Sequence, residues 1–125
     1  MDLPHNILIV DDSPVIRRSI RYVIENGTDW NVCGEAENGQ VAIEKAKQLH
    51  PDVVILDWQM PLMNGVEAAK QIRKMAPSPT MLMCTMHDSD RLAHDAHEAG
   101  IKEIFSKTDR VAERLVTALK ELSAA

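Results

Sequence analysis

Along the chain, short unbroken apolar runs alternate with stretches in which apolar residues recur every three or four positions. The runs lie at residues 7–10, 30–33, 53–56, 81–84 and 104–105, and Pro, Gly or Asp bounds most of them. Runs of this length, rich in Val and Ile, are strand patterns. Because they are apolar throughout rather than alternating, both of their faces are expected to be buried, as in a parallel sheet. Between them the period is helical. Pro14 suits a first turn, Ile16, Ile20, Val23 and Ile24 share one face, and Gly27 stands where a helix stops. Further helices are expected over 38–49 before Pro51, over 66–75 before Pro77, around Leu92, Ala93, Ala96 and Ala99 before Gly100, and through Val111, Leu115, Ala118, Leu119 and Leu122. Strand then helix, five times over, predicts a doubly wound α/β domain with right-handed crossovers. The pattern is read as one domain over residues 1–125, with no internal repeat and no linker.

The polar residues at the strand tips carry the chemistry. The first run ends in Asp11-Asp12, the third in Asp57, the fourth in Thr85, and the fifth leads to Lys107. In an open parallel sheet all strand C-termini open on one edge, where ligands bind. Each residue has an ordinary explanation by itself: a strand-end Asp caps the next helix, a Thr favours strands, and a Lys is solvated. Together they place three carboxylates, a hydroxyl and an ammonium in one crevice. Carboxylates so gathered repel one another unless a cation compensates, and Mg²⁺ takes a few carboxylates with waters and phosphate oxygens. A Lys and a Thr beside it can hold phosphoryl oxygens. The set suits phosphoryl transfer onto an Asp, with an acyl phosphate as product.

Composition narrows the surroundings of this site. The chain is 45% hydrophobic and 26% charged with a net charge of -5. An acidic chain is poorly suited to phosphate-backbone contacts, so direct nucleic-acid binding is not expected. Cys33 and Cys84 sit in apolar runs and read as buried free thiols of a reducing compartment. The first residues lack a signal-peptide pattern, and no run reaches the length of a membrane span. The expected location is the cytoplasm.

The pair Asp11-Asp12, Asp57 followed by the loop Met60-Pro61-Leu62-Met63-Asn64-Gly65, then Thr85, then Lys107, on a fivefold strand–helix alternation, resembles the receiver domain of two-component response regulators. The resemblance covers nearly the whole chain. It implies a flavodoxin-like sheet of order 2-1-3-4-5 with five helices. It implies Asp57 as phosphoacceptor for a histidine kinase and as a Mg²⁺ ligand, Asp12 as a direct Mg²⁺ ligand, Asp11 mostly through water, and the main-chain carbonyl of Gln59 completing the site. Lys107 would pair with the phosphoryl group and Thr85 would hydrogen-bond it and relay the change to the face of helix 4, strand 5 and helix 5. It further implies an effector domain or output protein and a phosphorylation-dependent homodimer. Residues 85–88, Thr-Met-His-Asp, are similar to receivers followed by a helix-turn-helix domain. The domain would be a signalling module rather than an enzyme, assisting only its own phosphorylation and dephosphorylation.

Ile104 stands where receivers often have a Tyr or Phe, and Phe105, one residue on, faces the other side of a strand and reads as core. Thr108 replaces a Pro after Lys107, and a trans bond is expected there, since cis costs a non-proline about 2.5–4 kcal/mol. Pro61 stiffens the loop and Asn64-Gly65 reads as a turn. Met86, Gln59 and His87 are expected to rim the phosphoryl position. Met81 and Met83 read as strand core, Trp58 as crevice rim or packing, and His94 and His97 as surface residues. Arg17, Arg18 and Arg21 read as the solvated face of the first helix, near the side where a kinase docks. Two other readings stand beside the receiver. One is a Mg²⁺-dependent hydrolase with an aspartyl nucleophile, which would place Asp-x-Asp after the first strand. The other is a receiver-like interaction module that is never phosphorylated.

Overall fold

The run at 53–56 becomes β3 (Val53–Leu56), and all four of its residues are buried. Around it, in the computed structural model of the protein, residues 5–86, 89–108 and 110–124 are described. Among them the elements alternate strictly: β1 (Asn6–Val10), α1 (Pro14–Gly27), β2 (Asn31–Ala36), α2 (Gly39–Leu49), β3, α3 (Gly65–Ile72), β4 (Thr80–Thr85), α4 (Asp90–Glu98), β5 (Ile101–Ser106) and α5 (Val111–Ala124). The strands form one parallel sheet in the order β2-β1-β3-β4-β5. Continuous pairing from Ile7 with Val53 to Val10 with Leu56 brings the ends of β1 and β3 level.

Successive strand residues face opposite sides, so the sheet has two cores. Leu8, Val10, Leu56 and Met83 pack with Ala42 and Ala46 of α2, Ala69 and Ile72 of α3, and Leu92 and Ala96 of α4. Ile7, Ile9, Ile55, Leu82 and Phe105 pack with Ile20 and Ile24 of α1 and Leu115 and Leu119 of α5. Each fully buried aliphatic side chain contributes about 1.5–3 kcal/mol. The helices are punctuated locally. Ser13, Asn38, Asn64 and Ser89 cap α1 to α4 through side-chain oxygens that accept backbone N–H groups.

Several boundaries depart from the sequence pattern, chiefly at the sheet edges. β2 runs three residues further than its apolar stretch, through Gly34 and Glu35, because an edge strand tolerates a half-exposed polar residue. Trp30 precedes it, with its indole N–H donating to the Leu119 carbonyl at 2.9 Å. β5, the other edge, includes the exposed Lys102 and Glu103. α3 stops at Ile72, and Met75 lies beyond it in a turn. Asn64-Gly65 is a helix start rather than a loop turn: Asn64 and Glu67 form a capping box. Phe105 is 2% exposed and belongs to the core, as its place in the strand predicted. The cis peptide bond among the described residues is Ala76–Pro77, so Lys107–Thr108 is trans.

Candidate functional site

The sheet order makes the chain step outward from β1 to β2 and then cross to β3 on the far side. The crevice between β1 and β3 is therefore the topological switch point, and ligands of doubly wound sheets bind beyond the strand ends there. Asp11 and Asp12 follow β1, and Asp57 follows β3. Their backbones are extensions of the ladder: Asp11 N–H donates to the Ala36 carbonyl at 3.0 Å, and Asp57 N–H to the Val10 carbonyl at 3.0 Å. The rigid sheet thus aims Asp11 and Asp57, Asp12 follows directly on Asp11, and one oxygen from each of the three lies within 4.8 Å of the others.

Lys107 closes the group from β5. Its backbone N–H donates to the Thr85 carbonyl at 2.9 Å. Its ammonium donates to Asp11 Oδ2 at 2.6 Å and to Asp57 Oδ2 at 3.1 Å. All three side chains are nearly buried, with 10% of Lys107, 3% of Asp11 and 11% of Asp57 exposed. Buried charges of this kind are costly unless paired, and the shared ammonium supplies the pairing. Burial alone would lower the Lys107 pKa. The hydrogen bond to Asp11 and the charges of Asp57 and Asp11 outweigh it, and the ammonium titrates above its ordinary range. The remaining carboxylate oxygens are also held: Ser13 N–H donates to Asp11 Oδ1 at 2.9 Å, and Trp58 N–H to Asp57 Oδ1 at 2.7 Å. Asp12 alone of the three is exposed.

Over these groups opens a crevice of about 500 Å³, lined by Asp12, Asp57, Gln59, Met60, Pro61 and Met86. Gln59 and Met86 take the rim positions the sequence assigned to them; His87 lies outside the described residues. Thr85 is fully buried at the tip of β4. Trp58 is half-buried and packs against the core on the α2–α3 side. The loop from Pro61 turns tightly: Met63 N–H donates to the Pro61 carbonyl at 2.7 Å around Leu62, whose φ is 69° and whose side chain is 79% exposed. That is a γ-turn with a left-handed non-glycine residue at its centre.

Three contributors escaped the sequence reading. Gly65 was read as a turn residue, yet its role is close approach. A Cβ there would lie 2.0 Å from the Asp57 carbonyl oxygen, and the Gly65 N–H donates to the Trp58 carbonyl at 2.7 Å. Arg17 and Arg21 are not a solvated face. Arg17 Nε donates to Glu35 Oε1 and Arg21 Nε to Glu35 Oε2, each at 2.9 Å, and Arg17 Nη1 donates to the Asp11 carbonyl at 2.6 Å. Arg18 is exposed, as expected. His94 and His97 are exposed on α4, and His94 faces Glu98 at 3.8 Å. Of the free thiols, Cys84 is buried and Cys33 only half-buried. Burial pushes Cys84 up to about 12 and raises Cys33 as well, so neither is a ready nucleophile.

The donor set is hard oxygen throughout, concave and partly open. It fits an oxygen-seeking divalent cation that keeps several waters. A doubly wound sheet with an acidic, lysine-bridged pocket at its switch point defines a class of phosphoryl- and cation-binding domains. Residues 7–120 match the response regulator receiver domain family, and the chain belongs to it. The chemotaxis protein CheY of Thermotoga maritima is 37% identical over 117 residues, covering 94% of this chain and 96% of that protein. The transcriptional regulatory protein YdfI of Bacillus subtilis is 39% identical over 103 residues, 82% of this chain, and the chain spans 48% of its length. Among solved structures, the signal receiver domain of the response regulator NarL from Mycobacterium tuberculosis superposes with a TM-score of 0.90. It is 27% identical, and 99% of each chain is covered. Receiver domains are signalling domains that interact with histidine kinases and effector domains and bind Mg²⁺ at an acidic pocket, and the Asp11, Asp12 and Asp57 cluster fits that site. No helix among the described residues is long and apolar enough to cross a membrane.

Proposed function

We propose that Asp57 is the phosphoacceptor of a two-component phosphorelay, loaded by a histidine kinase in a Mg²⁺-dependent reaction. The observation that carries this reading is the Lys107 ammonium shared between Asp11 and Asp57 at the switch point. Asp57 is fixed at a strand end, with Oδ1 held by the Trp58 N–H. Its Oδ2, paired with Lys107 in this structure, attacks the phosphorus, the bond from phosphorus to the donor nitrogen breaks, and an acyl phosphate forms on the carboxylate. Asp12, exposed in the crevice, would hold the cation directly together with Asp57, Asp11 would hold it through water, and the Gln59 main-chain carbonyl would complete the set. When bound, Mg²⁺ neutralises the carboxylates and the charge on the transferring group. Lys107 then exchanges its contact with Asp57 for a phosphoryl oxygen, and the Thr85 hydroxyl hydrogen-bonds another. Because Lys107 N–H is tied to the Thr85 carbonyl, movement of either is shared between β4 and β5. The change passes to α4, β5 and α5, where α4 buries only Leu92 and Ala96 of its own residues.

By the same reading the domain is cytoplasmic and acts as a module of residues 1–125, driving an effector domain or output protein. A helix-turn-helix regulator and a phosphorylation-dependent homodimer are the forms the family offers. The test is metal linkage. A cation that binds only the folded state adds RT ln(1 + [L]/Kd), about 2.7 kcal/mol at 100 times Kd. Mg²⁺ is expected to raise the melting temperature of the wild type, and Asp12→Ala to melt higher than wild type without metal and to lose the Mg²⁺ response. An undiminished Mg²⁺ shift in Asp12→Ala refutes the assignment.

A further inference from the structure

Asp11 is held at every polar atom it has. Its N–H donates to Ala36, its Oδ1 accepts from Ser13 N–H, its Oδ2 accepts from Lys107, and its carbonyl accepts from Arg17 Nη1 at 2.6 Å. The first three contacts come from the sheet, the α1 cap and the pocket. The fourth comes from a side chain outside the pocket, and its geometry is set elsewhere. Arg17 is only 17% exposed and donates through Nε to Glu35 Oε1 at 2.9 Å. Glu35 lies on β2 opposite Ile9, one residue before the Ala36 that receives the Asp11 N–H. Its second carboxylate oxygen is taken by Arg21, and its carbonyl by the Lys45 ammonium. Glu35, half-buried on an edge strand, is thereby held at its carboxylate from α1 and at its carbonyl from α2.

We propose that Arg17, braced by Glu35, is a positioning residue for the acidic pocket: it fixes the Asp11 carbonyl and so the direction in which Asp11 and Asp12 present their carboxylates to a cation. The inference rests on the metal-site reading above. The geometry calls for arginine. The guanidinium offers separate N–H groups in one rigid plane, one toward a carboxylate and another toward a carbonyl, whereas the ammonium of lysine is a point donor on a flexible stem. Supports of this kind around a metal site are worth about 10- to 100-fold in affinity. Arg21 supplies an internal control. It grips the same Glu35 carboxylate and reaches Glu25 at 3.6 Å, and no contact to Asp11 is among its bonds. Arg17→Ala and Arg21→Ala therefore both remove an ion pair to Glu35, and only the first releases the Asp11 backbone.

The experiment measures Mg²⁺ affinity through the change in tryptophan fluorescence, with Trp58, whose backbone N–H holds Asp57, as the reporter beside the site. It is paired with metal-free melting temperatures, for the wild type and the Arg17→Ala, Arg17→Lys and Arg21→Ala variants. Arg17→Ala is expected to weaken Mg²⁺ binding by about 10-fold. Arg17→Lys should weaken it less, and Arg21→Ala should stay within about twofold of wild type although it too removes an ion pair to Glu35 and lowers the melting temperature. If Arg17→Ala proves too unstable to titrate, the comparison of Arg17→Lys with Arg21→Ala decides. Wild-type affinity in both Arg17 variants, or an equal loss in Arg21→Ala, overturns the proposal. A wild type with no Mg²⁺ response overturns the metal-site reading itself, and this inference with it.

Discussion

Gly65→Ala probes how the fold holds Asp57. The added methyl would sit 2.0 Å from the Asp57 carbonyl oxygen, 2.9 Å from the carbonyl carbon and 3.0 Å from Met83 Cε. The methionine end can swing aside, but the first two atoms are backbone. Relief requires Gly65 and Asp57 to part by more than an ångström. That breaks the bond from Gly65 N–H to the Trp58 carbonyl, now 2.7 Å. Overpacking costs about 1–3 kcal/mol and the lost hydrogen bond about 1 kcal/mol. The reduced freedom of the unfolded chain returns about 0.5 kcal/mol. The net is a loss of about 1.5–3.5 kcal/mol, or about 6–14 °C in melting temperature for a domain of this size. Gly27→Ala is the contrast, since its methyl would meet only a Val116 side-chain carbon at 3.1 Å. Thermal unfolding followed by circular dichroism, with and without Mg²⁺, measures both. Because the displaced atoms belong to Asp57, Gly65→Ala should also weaken Mg²⁺ binding. A shift smaller than about 2 °C in Gly65→Ala would refute the close-approach argument.

Lys107→Met leaves Asp11 and Asp57 buried without their ammonium and should lower metal-free stability by about 3 kcal/mol, measured as a urea midpoint, with Mg²⁺ recovering much of it. The Lys107 pKa is raised in the fold, so its contribution is complete below the unfolded value near 10.4 and is lost as pH rises through the folded one. Wild-type stability should therefore fall steeply above about pH 10.5, and a variant lacking Lys107 should lack that component; parallel profiles would contradict it. Leu62→Asn should raise the melting temperature by about 2–4 °C, because Asn tolerates the left-handed φ of 69° that strains Leu62. An equal fall would show that the exposed leucine side chain contributes more than the strain costs.

How far the sequence reaches depends on whether a feature is local. β3 was legible because burial on both faces leaves an uninterrupted apolar run. The pocket was legible because a parallel sheet forces strand tips onto one edge, so Asp11, Asp12, Asp57 and Lys107 needed no side-chain coordinates to be gathered. The edge strands blurred where one side meets solvent: Glu35 interrupts β2, and Lys102 and Glu103 sit within β5. Arg17 was read as part of a solvated face because its partner is 18 residues away on β2, whose pairing with β1 shifts register between Ile7 and Leu8. On α1 alone the arginines look like an ordinary charged face. Gly65 was misread for a related reason. Asn-Gly is a common turn pair, and only the return of α3 against the end of β3 shows what a side chain there would strike.

The central claim is that Asp57 takes the phosphoryl group. The most direct measurement incubates the protein with acetyl phosphate and Mg²⁺, reduces the acyl phosphate with borohydride, and maps the modified residue by peptide mass spectrometry. The account predicts modification at Asp57 alone, absent without Mg²⁺ and absent in Asp57→Asn. Modification that persists in Asp57→Asn at wild-type levels, or that maps to Asp11 or Asp12, would contradict it.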